Sequence, residues 1–259
     1  MEAIKFTLRG RTAFFKKPEV NSYLYFTYGH IHKVALVGIF GAILGYKGYN
    51  QMKKDDQYPE FYQKLKDIKI SIVPNNKNGI IDKKINIFNN SVGYASQEKG
   101  GNLIIKEQWL ENPSWEIYLL LNDDESQKIA NALMDRTYIY LPYLGKNDHL
   151  AEITNIKRIN NIKTIDRFIK IDSFFKKNEF KYKELDLDDL DDLDDLDDLD
   201  DDNVTDEELI FKYEEMLPVG LDLQTNRYKL EGLVYTNKPI EKRLNCEVYE
   251  IEGKILTFI

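Results

Sequence analysis

The densest chemistry in the chain lies at residues 23–33, YLYFTYGHIHK, which gathers Tyr23, Tyr25, Phe26, Tyr28, His30 and His32 and ends on Lys33. With Lys16 and Lys17 upstream, these side chains suit single-stranded RNA: aromatic faces stack on splayed bases while ammonium groups neutralise phosphates. Extended-chain parity sends part of the set inward, so roughly half of the rings remain for solvent or ligand. His30 and His32 also have the side-chain type of a general acid and base for RNA cleavage. No carboxylate or third ligand is spaced to join them in a metal centre.

Two further segments carry candidates. GIFGAILG (38–45) places Gly38, Gly41 and Gly45 on one side of a helix whose other side is large and apolar. Glycine inside a helix costs about 0.5–1 kcal/mol relative to alanine, so three need a reason. That reason is either close packing against a neighbouring element or the passage of a nucleic-acid backbone over the helix, near its positive amino terminus and Lys33. LPYLGKNDH (141–149) offers Lys146 and His149 in a loop able to close over a bound strand, or simply to connect two elements. The chain has no Walker loop, no Gly-x-Ser-x-Gly elbow and no paired histidine–carboxylate motif, so neither a cofactor nor a metal is expected.

The elements that must position these residues follow from hydrophobic period. Residues 3–9 alternate as a strand, extended through Phe15; a helix spans 33–46 and a shorter helical stretch 59–66. Strands are expected at 68–73, 117–121 and 152–159, with a helix capped by Asp123 or Ser126 and running to Arg136. Between the second and third strands, 84–88 and 102–109 flank the glycine-rich tip GYASQEKGG (93–101) as a projecting β-hairpin, with Trp109 and Trp115 anchoring its base. The order strand, helix, strand, strand, helix, strand predicts an α+β fold with a ferredoxin-like βαββαβ arrangement, the topology of RNA-recognition domains. Residues 227–236 and 246–258, turning at Gly253, add a small carboxy-terminal sheet.

Composition narrows the function classes. The formal charge of −8 is concentrated: residues 186–202 hold twelve aspartates, without which the balance is +4. Residues 1–54 carry nine Lys or Arg against Glu2 and Glu19, which suits an anionic partner or a solvated lysine-rich surface. The Asp-Asp-Leu triplets at 188–199 cannot keep leucines on one helical stripe, and the tract is expected to be disordered. The longest apolar stretch, Val34–Tyr46, is too short to span a bilayer, no export signal opens the chain, and the lone Cys246 fits a reducing cytoplasm.

FTLRGRTAFFKKPEVN (6–21), TYGHIHKVALVGIFGAILG (27–45), YLPYLGKND (140–148) and EEMLPVGLD (214–222), taken in order, resemble the fifth CRISPR-associated protein family, of the RAMP superfamily and type I-B-like. The resemblance implies a ferredoxin-like palm over 1–160 with a β-hairpin thumb at 80–112, a variable connector over 161–210 and a carboxy-terminal β-region over 211–259. It implies a non-catalytic Cascade subunit that caps the crRNA 5′ handle and adjoins the backbone and large subunits, and it leaves open a contact with target DNA through the assembled complex. On that reading Arg11, Lys16, Lys17 and Lys33 meet phosphates, Tyr28, His30 and His32 contact unstacked bases, and Gly38, Gly41 and Gly45 give close approach. Asn21 and Lys146 complete the RNA contacts. In type I-C relatives the corresponding subunit cuts the precursor itself, which keeps Tyr28, His30, His32 and Lys33 as an alternative catalytic set. A purely structural assembly protein is the third reading.

Overall fold

A computed structural model describes residues 1–19, 23–91, 93–160, 162–182, 210–244 and 246–259. The acidic tract and the candidate Asn21 lie outside the described residues. The first half contains β1 (Ala3–Arg9), β2 (Thr12–Ala13), α1 (Lys33–Leu44), α2 (Glu60–Leu65), β3 (Ile70–Pro74), β4 (Lys83–Asn89), β5 (Ile104–Glu111) and β6 (Ser114–Leu120). α3 (Asp124–Asp135), β7 (Glu152–Ile159), β8 (Lys163–Thr164), β9 (Phe175–Lys176) and β10 (Phe180–Tyr182) follow. The chain ends with β11 (Lys212–Leu221), β12 (Tyr228–Thr236), β13 (Ile240–Arg243), β14 (Val248–Ile251) and β15 (Lys254–Thr257).

The fold is mixed α and β with antiparallel sheets. Its main sheet has four strands in the order β3-β6-β1-β7, every pair antiparallel. The alternation read in residues 3–9 explains the placement of β1: Ile4, Phe6 and Leu8 face α1 and α3 in one core, while Lys5 lies on the other side. α3 begins at a capping box in which Asp123 accepts from the Ser126 amide at 2.7 Å.

The sheet's second face is also covered. Ala3, Val73, Tyr118 and Leu120 pack beneath Ile162 and the β14–β15 hairpin residues Tyr249, Ile251 and Leu256. A charge network fastens this cover: Lys5 pairs with Glu116 at 3.1 Å and Glu252 at 3.3 Å, Lys254 bonds Glu116, and Lys157 bonds Glu252. RNA-recognition domains stack bases on an open sheet face; this sheet has none to offer at that place.

α1 departs from the expected helix by ending at Leu44. Gly45 takes φ 74°, a left-handed cap whose amide bonds the Ala42 carbonyl. The expected small face is not uniform either. Gly41 packs against α2, where an added Cβ would lie 2.4 Å from Phe61 Cβ, whereas a Cβ on Gly38 would meet nothing within 4 Å. β11, unforeseen as a strand, pairs with β12 and sends Leu217 and Leu221 into the same core as α1.

Candidate nucleic-acid interface

β4 and β5 form the expected hairpin, and β5 gains two more neighbours. β2 pairs at Glu111 and Leu110, and residues 23–27 run alongside it: the Tyr25 amide donates to Lys106 O and the Gln108 amide to Tyr25 O, each at 2.9 Å. Strand alternation then puts Phe88, Glu107, Trp109 and Tyr25 on one face. The 141–150 loop packs there: Lys146 Nζ lies 3.3 Å from Glu107 and 5.0 Å from the Phe88 ring, and the His149 ring stands edge-on to Trp109 at 4.5 Å.

Cations over rings recur along β5. Lys16 Nζ lies 4.0 Å from the Tyr25 ring centre, and Lys106 Nζ lies 4.1 Å from that of Tyr23 while donating to its hydroxyl at 2.6 Å. That hydrogen bond, with the ammonium charge behind it, holds the Tyr23 phenol below its ordinary pKa. Tyr23 is 77% exposed, and Lys16 and Lys106 have no carboxylate partner among the described residues. Exposed rings beside unpaired ammonium groups are what a single strand of nucleic acid needs: a π-face for each base and a cation for the phosphate beside it.

The structure separates the other candidates. Arg11 is exposed beside a groove of about 410 Å³ lined by Arg9, Asn112 and Glu152, where Arg9 is already paired with Glu152 at 2.8 Å. Lys17 is not free for phosphate; it forms an ion pair with Glu215 at 2.6 Å, and Glu215 also accepts from the Gly29 amide and the Tyr213 hydroxyl. Lys33 stands apart, its electrostatic neighbours being Lys69, Asp67, Lys176 and Glu231. Gly41 and Gly45 serve packing and capping, which leaves Gly38 as the one open position of the three.

Tyr28, His30 and His32 are core residues, which corrects the expectation that they meet unstacked bases. His30 is fully buried: its Nε2 donates to Gly79 O at 2.6 Å and its Nδ1 accepts from Trp115 Nε1 at 2.9 Å, so both nitrogens are spent. Burial draws its pKa down to about 4, against the opposing pull of the Gly79 bond. His32 is the N-cap of α1, accepting from the Ala35 amide at 3.2 Å, with burial pushing its pKa down to about 3. Tyr28 is 2% exposed and packs edge-on against His32, and burial raises its phenol pKa. Neutral, enclosed imidazoles of this kind position the segment; as placed, they cannot touch a substrate.

Residue types alone could not reveal Lys106, Phe88 or the pairing of Lys17 with Glu215. Each depends on hairpin register or on a contact between residues nearly two hundred positions apart. Parity in YLYFTY was the available signal, and it singles out Tyr23 and Tyr25 once the segment is paired with β5.

No family model matches the chain, and no curated protein does. Solved structures resemble it to different degrees. A chain of a CRISPR RNA-guided surveillance complex superposes with a TM-score of 0.52 at 11% identity, covering 92% of this chain and 91% of that one. A CRISPR protein from Archaeoglobus fulgidus gives 0.47 at 8% identity over 99% and 98%. A chain of the type III-B Cmr-beta assembly bound to cognate target RNA and AMPPnP gives 0.43 at 12% over 99% and 86%. The first of these likenesses shows the fold alone, one found in a chain of a CRISPR RNA-guided surveillance complex. No helix among the described residues is long and apolar enough to cross a membrane.

Proposed function

We propose that the chain is a non-catalytic, RNA-binding subunit of a type I CRISPR effector, type I-B-like, which caps the crRNA 5′ handle and seats the adjoining backbone and large subunits. The sheet order β3-β6-β1-β7, with α1 and α3 on one face, supports reading residues 3–159 as a ferredoxin-like palm carrying the β4–β5 hairpin as its thumb. The observation that carries the RNA reading is the pair of cation–ring stacks along β5, Lys16 over Tyr25 and Lys106 over Tyr23, whose ammonium groups have no carboxylate partner among the described residues. With the sheet's second face covered, the thumb and the 141–150 loop become the surface on which RNA lies.

The nuclease reading draws no support from the positions of Tyr28, His30 and His32, whose polar groups are buried or engaged within the core. Cleavage of a repeat RNA in EDTA by the purified chain would revive it.

The test is the salt dependence of binding to a handle-bearing RNA. Each phosphate contact made by a lysine contributes about 0.7 to the slope of log K against log salt for a single strand. Lys16→Ala and Lys106→Ala should each flatten that slope and weaken binding, and Tyr25→Ala should weaken binding with the slope unchanged. Slopes identical to that of the parent protein in both lysine variants would remove the hairpin face as the RNA site.

A further inference from the structure

His149 is buried at the base of the hairpin, on a turn (145–149) closed by the Leu144 amide, which donates to His149 O at 2.7 Å. Its ring stands edge-on to Trp109 of β5 at 4.5 Å and lies 6.5 Å from Phe14. Nδ1 is hydrogen-bonded to Thr12 Oγ1 of β2 at 2.6 Å, while Nε2 is buried with no partner among the described residues. A neutral imidazole tolerates this setting by donating from Nδ1 to Thr12 and leaving a bare lone pair on Nε2. An imidazolium does not, because its second N–H would be enclosed with no acceptor.

The charges that face the ring do not reverse this. Asp148 on the turn and Glu107 on β5 favour the proton, and Lys146 opposes it. Both carboxylates already face Lys146, each at 3.3 Å, and Glu107 also accepts from Trp109 Nε1 at 2.8 Å. Thr12 and Phe14 bring no charge. With burial the largest influence, the imidazole is held below its ordinary pKa. Leu144 stays anchored in the core and accepts from the Phe14 amide at 3.0 Å, so residues 145–149 can lift while the fold persists. We infer that this turn is a proton-sensitive latch on the hairpin base, closed while His149 is neutral and released when its ring takes up a proton. Release parts Lys146 from Glu107 and uncovers the Trp109 face of β5. The latch rests on packing alone and stands or falls apart from the RNA reading, which places a bound strand beside this turn. Because the closed form binds fewer protons, the latch holds above the ordinary pKa of 6.5 and loosens as pH falls below it.

Hydrogen exchange of the full chain at pH 7.5 and pH 5.5, with exposure times scaled to the intrinsic rates, reads the latch through the Leu144 and His149 amides, both bonded within the turn. For a closed form that takes no proton, opening should rise about tenfold between the two pH values. Amides of β1 and β6 should keep their protection, which separates release of the turn from acid unfolding through His30 and His32. In His149→Gln, exchange of the turn should be the same at both pH values, whatever its level. In the parent protein, NMR of the three histidine rings, with His149 assigned by its contact with Trp109, should show that ring titrating together with the loss of protection. Turn protection equal at the two pH values, an equal acid response in His149→Gln, or loss of protection only together with β1 and β6 overturns the inference.

Discussion

Trp115 donates its indole N–H to one nitrogen of His30, and the other nitrogen donates to the Gly79 carbonyl, so one ring ties β6 to the segment before the hairpin and to the residues leading into α1. His30→Ala leaves a buried donor and a buried acceptor unsatisfied and should cost about 2–4 kcal/mol in urea unfolding, with RNA binding lost only through unfolding. A stable variant that had lost RNA binding would return His30 to the interface. The two buried histidines also fix a pH dependence. Their folded pKa values, about 4 and about 3, lie below the ordinary 6.5, so the unfolded chain takes up protons first as pH falls. Their contribution is complete above pH 6.5 and declines below it, by about 2 kcal/mol per histidine between pH 7 and pH 5. Unfolding midpoints that do not fall over that interval would contradict their neutral burial. In the sequence His30 and His32 read as base contacts or as a general acid and base. The way His30 points depends on Trp115 and Gly79, far along the chain.

Among the elements, α1 offers the sharpest contrast. Gly38 and Gly41 look alike in the sequence, three residues apart on one side of the same helix. Gly41→Ala drives a Cβ into Phe61 of α2 and should destabilise by about 1–3 kcal/mol, whereas Gly38→Ala has open space and should stabilise by about 0.5–1 kcal/mol. Chemical denaturation of the two variants reads both signs, and equal effects would place the α1–α2 contact elsewhere. If RNA binding in Gly38→Ala falls while stability rises, the open position is also a place of close approach. β1 was legible because residues 3–9 alternate, burying Ile4, Phe6 and Leu8 on one face. β11 was not: KYEEMLPVGL interrupts its alternation with Pro218 and a register shift before Gly220, and only its pairing with β12 makes it a strand.

Across the whole molecule, charge is divided. Outside residues 186–202 the chain is basic, and Lys16 and Lys106 stand along β5 without a carboxylate partner among the described residues. The β14–β15 hairpin closes the sheet face that an RNA-recognition domain would leave open, and its grip depends on Glu116 and Glu252. Burial works against ionisation of Glu116, but Lys254 and Lys5 prevail and its pKa is lowered; Lys157 and Lys5 lower that of Glu252. This part of the stability is therefore present above the ordinary carboxylate range and is lost as pH falls through the lowered values, adding to the histidine effect in acid. The basic front of the chain was legible in composition, and its use was not, because Lys17 is consumed by Glu215 while Lys16, one residue earlier, stays open.

The most direct measurement is purification of the chain co-expressed with its neighbouring operon proteins and a repeat–spacer RNA, followed by sequencing of the retained RNA ends. A uniform, protected 5′ handle that is retained by the parent assembly and lost when Lys16 and Lys106 are replaced together by alanine is the predicted result. An assembly that forms without RNA, or that keeps the same handle in the double variant, would contradict the RNA-capping role of the hairpin.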